Sequence, residues 1–393
     1  MESPYFQHFT GEEFFQHAFP HERSSLSHWR KRIGDKLEKP LQESLKVAHE
    51  ASALKLNDLA RVTVGATVQP KNITHPTDAK TACGLRDWCP DDVMGEWSLP
   101  QATVSVGLPR LSPAEAAARG AGSLVVGIAP VGGRVPDSWL PDLEAAIASG
   151  LDIVSGMHMR LTSFPSLVAA AQRHGVRLMD VRHSDATFPA GSGDKRTGMR
   201  VATVGTDCAL GKKYTALSLT TALRARGAKA TFRATGQTGI MIAGSGIAID
   251  AVVADFIAGA AEVLSPNNAP DHWDVIEGQG SLFHPAYAGV TLGLLHGSQP
   301  DCIVLCHDPS RLTIEYRPNH PLPSLADAVA QYLTAARVTN KHVRLAGVSI
   351  NSSTLSDAAW SEYAARVSAE LGVPVSDPMR GGLDAIAASV LST

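Results

Sequence analysis

Few folds accommodate the pattern found at residues 200–227. An apolar run, Arg200 to Val204, leads into Gly205-Thr206-Asp207-Cys208-Ala209-Leu210-Gly211-Lys212-Lys213-Tyr214-Thr215, and a helical stretch follows to about Arg226, where Gly227 stops it. Ala216, Leu219 and Leu223 recur at i, i+3 and i+7, the apolar stripe of a helix packed on one side. A strand, a Gly-Lys loop and a helix together aim consecutive backbone N–H groups and a helix N-terminus at an anion, with lysine as a point charge. Gly205 to Tyr214 are therefore assigned to a phosphate-bearing cofactor. A plain strand–turn–helix with a surface lysine is the alternative, and the Gly-Lys register between strand and helix favours the phosphate reading. Two departures matter. Gly205 stands one residue early, so Thr206 occupies the usual first-glycine slot. Lys213 stands where nucleotide hydrolases place the Ser or Thr that holds Mg²⁺. Thr215 is the candidate substitute for that hydroxyl, but it lies two residues on, ~200° around the helix. The loop is suited to holding phosphates more than to cleaving them, and no metal site is assigned.

The rest of the chain fits an α/β protein of two or three domains, since cores rarely grow past ~250–300 residues before splitting and the chain has 393. Hydrophobic residues make up 44% and charged residues 19%, which excludes bulk disorder. With 35 basic against 38 acidic residues there is no basic excess, and no nucleic-acid binding is expected. The longest apolar stretch, Ala248 to Leu264, is interrupted by Asp250, Asp255 and Glu262, so no membrane span is expected. No signal peptide is expected, and the five cysteines form no CxxC pair. The expectation is a cytoplasmic protein with a small-molecule substrate, assembling as a homo-oligomer. Between residues 80 and 190, strands are predicted at Ser123–Ala129, Leu151–Ser155 and Val176–Val181, with helices at Pro141–Ser149 and Phe164–His174 closed by Gly150 and Gly175. This alternation argues for parallel strands. Residues 191–199 read as a linker, and residues 200–393 as the loop domain.

The loop form GTDxxxGK resembles that of dethiobiotin synthetase and its relatives. Asp274-Val275-Ile276-Glu277-Gly278-Gln279-Gly280 is similar to that family's acidic VEGAG element, and Asp301–Cys306 and Arg344–Ile350 read as further buried strands. Asn351 follows the last of these, where such relatives often recognise a base. Residues 80–393 resemble more closely a former domain-of-unknown-function family whose characterised members include D-glutamate N-acetyltransferase. The resemblance is carried by SGMHMRL (155–161), GTDCALGKKYTA (205–216), FRATGQTGIMIAGSGIAIDAVVADFIAGAAE (232–262) and DHWDVIEGQGSLFHPAYAGVTLGLLHGSQPD (271–301). It implies a Rossmann-like N-terminal domain, a P-loop C-terminal domain with a parallel sheet, acetyl-CoA as donor and an acidic amino acid, D-glutamate, as acceptor. An ATP-dependent ligase or kinase of the dethiobiotin synthetase type, using ATP with Mg²⁺, is the alternative, and an inactive fusion product is a third.

Acetyl transfer to an amine requires deprotonation of an ammonium, stabilisation of a thioester oxygen and a grip on the acceptor's carboxylates. His284, His296 and Glu277 are the candidate catalytic groups, each histidine being set against a plain structural role. Arg233, Arg160 and Arg311 are candidate carboxylate clamps, set against ion-paired surface arginines, and Gln237 and His158 are further substrate-binding candidates. Cys208 reads as a small residue suited to a tight loop, with an acyl-carrying thiol as the alternative. Cys302 and Cys306 read as core residues.

Residues 1–79 differ in style and carry six of the fifteen histidines. The stretches 5–50 and 58–80 resemble the N-terminal region of insertion-sequence transposases of the DDE type. Where that family places its first catalytic Asp after the strand RVTV, this chain has Gly65 and Ala66. The segment is expected to be a mainly helical or partly disordered fusion remnant, with ten acidic residues balancing ten basic ones. The join falls near Asp78-Ala79-Lys80. The Rossmann-like domain is expected to lack its first strand unless LARVTVGATV (59–68) substitutes, and to be less stable for that loss.

Overall fold

The computed structural model describes residues 62–65 (as backbone), 79–98, 104–128 and 133–392. The described residues belong to one compact unit. It contains two parallel sheets, each with helices in its crossovers.

The first sheet is built from β1 (Val62–Gly65), β2 (Val93–Trp97), β3 (Ser123–Val126), β4 (Asp152–Ser155) and β5 (Leu178–Asp180), in the order β2-β1-β3-β4-β5. Every neighbouring pair is parallel. Helices α1 (Lys80–Trp88), α2 (Pro113–Ala118), α3 (Leu140–Ala148) and α4 (Pro165–His174) alternate with the strands. Local chemistry sets their ends. Ser112 and Glu115 form a reciprocal capping box at the start of α2, and Gly175 closes α4 at φ 67°. All four residues of β3 are buried, as a strand covered on both faces requires.

The second sheet has the order β13-β12-β9-β6-β8-β7. Its strands are β6 (Met199–Gly205), β7 (Lys229–Arg233), β8 (His272–Ile276), β9 (Cys302–His307), β12 (Arg344–Ile350) and β13 (Val375–Ser376), all parallel. A hairpin of β10 (Thr313–Ile314) and β11 (Arg317–Pro321) follows β9. The helices are α5 (Lys212–Ala225), α6 (Gln237–Ala243), α7 (Ile257–Leu264), α8 (Ala288–Ser298), α9 (Leu325–Ala336), α10 (Asp357–Leu371) and α11 (Asp384–Leu391). Ala216, Leu219 and Leu223 of α5 are buried against Val201, Val275 and Val304, as their spacing predicts. From β6 the chain first builds outward through β7 and β8, then returns to β9 on the other side. The loops after β6 and β9 therefore leave in opposite directions, which opens a crevice at the carboxyl end of the sheet's centre.

One expectation is corrected. The first sheet does not lack its first strand: Val62–Gly65 lies in its middle, paired with β2 on one side and β3 on the other. A parallel ladder accepts a strand through its backbone groups, so the RVTV stretch fills the position whatever its ancestry. Residues 191–199, expected as a linker, are held by side-chain contacts. Glu262 accepts the Ser192 and Gly193 amides, and Arg196 donates to the Ser265 and Gly297 carbonyls, which ties the stretch down. The helical expectation for the N-terminal segment falls on residues 1–61 and 66–78, outside the described residues. Among the described residues no helix is long and apolar enough to cross a membrane.

Candidate active site at the seam between the sheets

The loop after β6 is held by side chains from three directions. Asp207 is fully buried, and its Oδ2 accepts from Arg311 Nη1 at 3.1 Å and from the Glu315 amide at 2.7 Å. Arg311 also donates to the Cys208 carbonyl at 2.9 Å and the Ala209 carbonyl at 3.1 Å. Arg311 is thus the brace of the loop, committed to its backbone and not free to clamp a substrate. Tyr332 and Ser281 donate their hydroxyls to the Gly205 carbonyl at 2.7 and 2.9 Å. Thr206 Oγ1 meets His307 Nδ1 at 2.9 Å, and burial pushes His307 down to about 4, so it is a neutral partner. Gly211 turns into the helix at φ 96°, a conformation that glycine takes without strain.

The two lysines that follow part company. Lys212 is 6% exposed, and its Nζ donates to the Asp207 carbonyl at 2.8 Å. It forms no ion pair among the described residues, and burial pushes its pKa down. A buried cation without a counter-charge marks the place an anion would fill. Lys213 leaves the loop and donates to the Lys80 carbonyl of α1 at 3.4 Å, so its expected place among the phosphate ligands is not what the geometry shows. Tyr214 also turns to α1, donating to Asp87 at 2.6 Å. Thr215 is buried against Ser349 Oγ at 2.7 Å, consistent with the helical phase that excludes it from the loop.

The acidic element ends β8. Glu277 is 3% exposed, and its Oε2 accepts from the Thr235 amide at 2.8 Å and the Gly236 amide at 3.1 Å. Burial raises its pKa, and these two amides and Lys213 oppose the rise. The glycines here are required by close approach. A Cβ on Gly278 would come within 2.8 Å of the Thr203 carbonyl carbon, and one on Gly239 within 2.9 Å of Glu277 Cδ.

The carboxyl edges of both sheets meet at this point. Gly156, directly after β4, faces Gln237, which opens α6 after β7: a Cβ at Gly156 would lie 2.6 Å from Gln237 Cβ. Thr81 Oγ1 of α1 and Thr238 Oγ1 of α6 are 2.9 Å apart. Arg182, after β5, donates to the Gly156 carbonyl at 2.8 Å and forms an ion pair with Asp250. His158 packs on Gly133, and burial followed by Arg182 lowers its pKa. Gln237 and His158, both substrate-binding candidates, lie at this seam.

Other candidates fall elsewhere. His296 contacts the Ala335 carbonyl at 3.1 Å between α8 and α9, a packing role. Arg233 pairs with the buried Asp274 at 2.9 Å, and Arg160 pairs with Asp185 at 3.5 Å on the surface. Neither arginine is free. His284 stacks on Tyr287 beside the loop, with ligand-type atoms of Asp207 and Cys208 within 4.8 Å. Its Nδ1 accepts the Ala286 amide at 3.1 Å, so the neutral ring carries its proton on Nε2 and has no lone pair left to act as a base. Cys208 is half-buried, and burial pushes its thiol up to about 11, away from nucleophilic use. Asn351 donates to Asp308 at 3.1 Å. Sequence reasoning missed Lys80, Thr81, Gly156, Arg182 and Asp250. For Gly156 a signal existed, a glycine directly after a predicted parallel strand, which is where α/β crevices form.

Comparison with known proteins divides the chain at the same place. A profile described as the Rossmann-like domain of unknown function DUF1611_N matches residues 96–184, and the DUF1611_C P-loop domain matches residues 187–387. A D-glutamate N-acetyltransferase of Pseudoalteromonas is 47% identical over 317 residues, 81% of this chain and 96% of that one. Another, from Tritonibacter scottomollicae, is 45% identical over 314 residues, 79% and 94% of the two chains. The crystal structure of a DUF1611 family protein from Anabaena variabilis superposes with a TM-score of 0.76 at 34% identity, covering 84% of this chain and 99% of that one.

Proposed function

This chain belongs to the DUF1611 family, and from that footing we propose that it is a D-glutamate N-acetyltransferase whose loop domain holds acetyl coenzyme A by its phosphates. Two relatives named for this activity match nearly their whole lengths. The observation that carries the cofactor reading is the buried Lys212 ammonium with no carboxylate paired to it, inside a loop braced by Arg311. Coenzyme A brings a pyrophosphate and a 3′-phosphate for such a loop and supplies the activated acetyl group at the far end of its arm. No hydroxyl follows the loop lysine, so retention of phosphates fits these residues better than their cleavage.

The seam provides the acceptor's half of the site. In this reading Lys80, His158 and Gln237 meet the carboxylates of an acidic amino acid, and Arg182 holds the strand ends through the Gly156 carbonyl. Glu277, fixed by two backbone amides, places a buried carboxyl group beside Lys213. The test is direct. The full chain, given acetyl-CoA and D-glutamate without added metal, should release free thiol one-for-one with N-acetylated product. Turnover that needs ATP and Mg²⁺, or no thiol release at all, would overturn the proposal.

A further inference from the structure

We propose that Lys213 is the group that takes the proton from the acceptor's amino group, so that the two consecutive lysines of the loop serve different substrates. This rests on the acetyl-transfer reading above and deepens it. Neighbouring residues on a helix point about 100° apart, so Lys212 and Lys213 cannot both face the loop. Lys212 is the one that does, by its bond to the Asp207 carbonyl. Lys213 Nζ instead lies where α1 and α6 approach one another. A Cβ on Gly84 of α1 would be 2.7 Å from that nitrogen and 2.7 Å from Thr238 Cγ2 of α6. The glycine thus makes room for the ammonium at the seam.

The groups around it suit a proton acceptor. Glu277 approaches from β8, Lys80, Cys83 and Asp87 belong to α1, and the Tyr214 ring centroid is 5.0 Å away. Lys213 forms no ion pair among the described residues, so no direct carboxylate contact locks the ammonium in its charged form. Burial lowers its pKa, against the pull of Glu277, to about 8. Two competing bases are disqualified by geometry: neutral His284 has spent its lone pair on the Ala286 amide, and His296 is packed between α8 and α9. Glu277 acts through Lys213, as the counter-charge that positions it.

The acceptor's ammonium gives one proton to neutral Lys213 Nζ. The freed amine attacks the thioester carbonyl carbon, the C–N bond forms, and the C–S bond breaks with its electron pair leaving on sulfur. The remaining surplus proton on nitrogen passes to that sulfur, and Lys213 releases its own to water.

The experiment measures steady-state acetylation of D-glutamate by the full chain over about pH 6 to 10, together with direct binding of coenzyme A. The wild-type kcat should fall on the acid side with an apparent pKa near 8. Lys213→Arg keeps the charge but cannot give up its proton, and Lys213→Met loses both. Each should lower kcat by ~10²-fold or more and abolish that acid limb, with coenzyme A affinity within about threefold of wild type. Lys212→Met should show the reverse, weakening coenzyme A. The proposal is overturned if Lys213→Arg retains kcat and the limb, or if Lys213→Met weakens coenzyme A as much as Lys212→Met does. Absence of thiol release by the wild type would defeat the acetyl-transfer reading itself, a separate and distinguishable result.

Discussion

Replacing Gly156 with alanine asks whether the chemistry depends on the two sheets' carboxyl edges being held as close as the structure holds them. The added methyl would overlap Gln237 Oε1 and lie 2.7 Å from Gln237 Cδ and 2.6 Å from its Cβ. The amide can swing aside, but the Cβ is fixed to the backbone of α6. A comfortable carbon–carbon contact is ~3.5–4.0 Å, so the seam must open by about 1 Å. Gly156 is not among the residues at positive φ, so alanine carries no backbone strain there and the effect is steric alone. A displacement of ~1 Å between reacting groups costs ~10²-fold in rate, or ~3 kcal/mol. Coenzyme A binding should stay within about threefold, because Lys212, Arg311 and the loop all lie on one side of the seam. Thiol release and titration calorimetry read the two quantities separately. Adding Gln237→Gly, which removes the obstructing Cβ, should make Gly156→Ala no slower than Gln237→Gly alone. Retention of kcat in Gly156→Ala, or loss of coenzyme A binding along with it, would overturn this account of the seam.

Three further outcomes are expected. Val64→Pro removes an N–H from a strand paired on both sides and should destabilise the first sheet by ~3 kcal/mol, read as faster proteolysis within residues 79–190 and a lower urea midpoint; an unchanged midpoint would remove β1 from the sheet. His307 is held near 4 by burial, below its ordinary 6.5, so the unfolded chain takes up the proton first, and stability present above pH 6.5 is lost as pH falls toward 4, by ~3 kcal/mol in all. His307→Gln should therefore lose less thermal midpoint than wild type between about pH 7.5 and 5, and parallel losses would count against the buried neutral ring. Cys208→Ser should keep kcat within about threefold, since its thiol is pushed up to about 11; an acetylated Cys208 trapped by mass spectrometry would reverse that reading.

The sequence exposes what is local in the chain and conceals what is paired at a distance. The loop from Gly205 to Tyr214 is contiguous, so its chemistry is legible in the order of its residues, and the phase of α5 correctly removes Thr215 from it. The same phase argument, applied one residue after Lys212, separates Lys213 from the phosphate ligands as well. Arg233 reads as a free cation beside a polar loop, but its partner Asp274 sits on the neighbouring strand, where β7 and β8 run in register. His296 and Arg311 mislead for the same reason: their partners are Ala335 and the Cys208 carbonyl, residues far away in sequence. The strand Val62–Gly65 is concealed differently. The expectation of a fusion remnant concerns ancestry, whereas membership of a parallel sheet depends on backbone groups that any extended segment carries.

A net charge of −3 over the whole chain is a poor guide to the site, because what a small acidic substrate meets is the local balance. At the seam Arg182 is neutralised by Asp250, and Glu277 is occupied by the Thr235 and Gly236 amides. Lys80 and Lys213 have no ion-pair partner among the described residues, and His158 adds a third nitrogen base beside them. Across from them lies Lys212, likewise unpaired. These cations without ion-pair partners, between two carboxyl edges, suit the proposed dicarboxylate acceptor and phosphate-bearing donor. That arrangement makes a demand on Lys213 in particular. Its charge draws the acceptor in, but only its neutral form can accept a proton, so a group pushed down to about 8 serves both needs where an ordinary lysine would serve only the first.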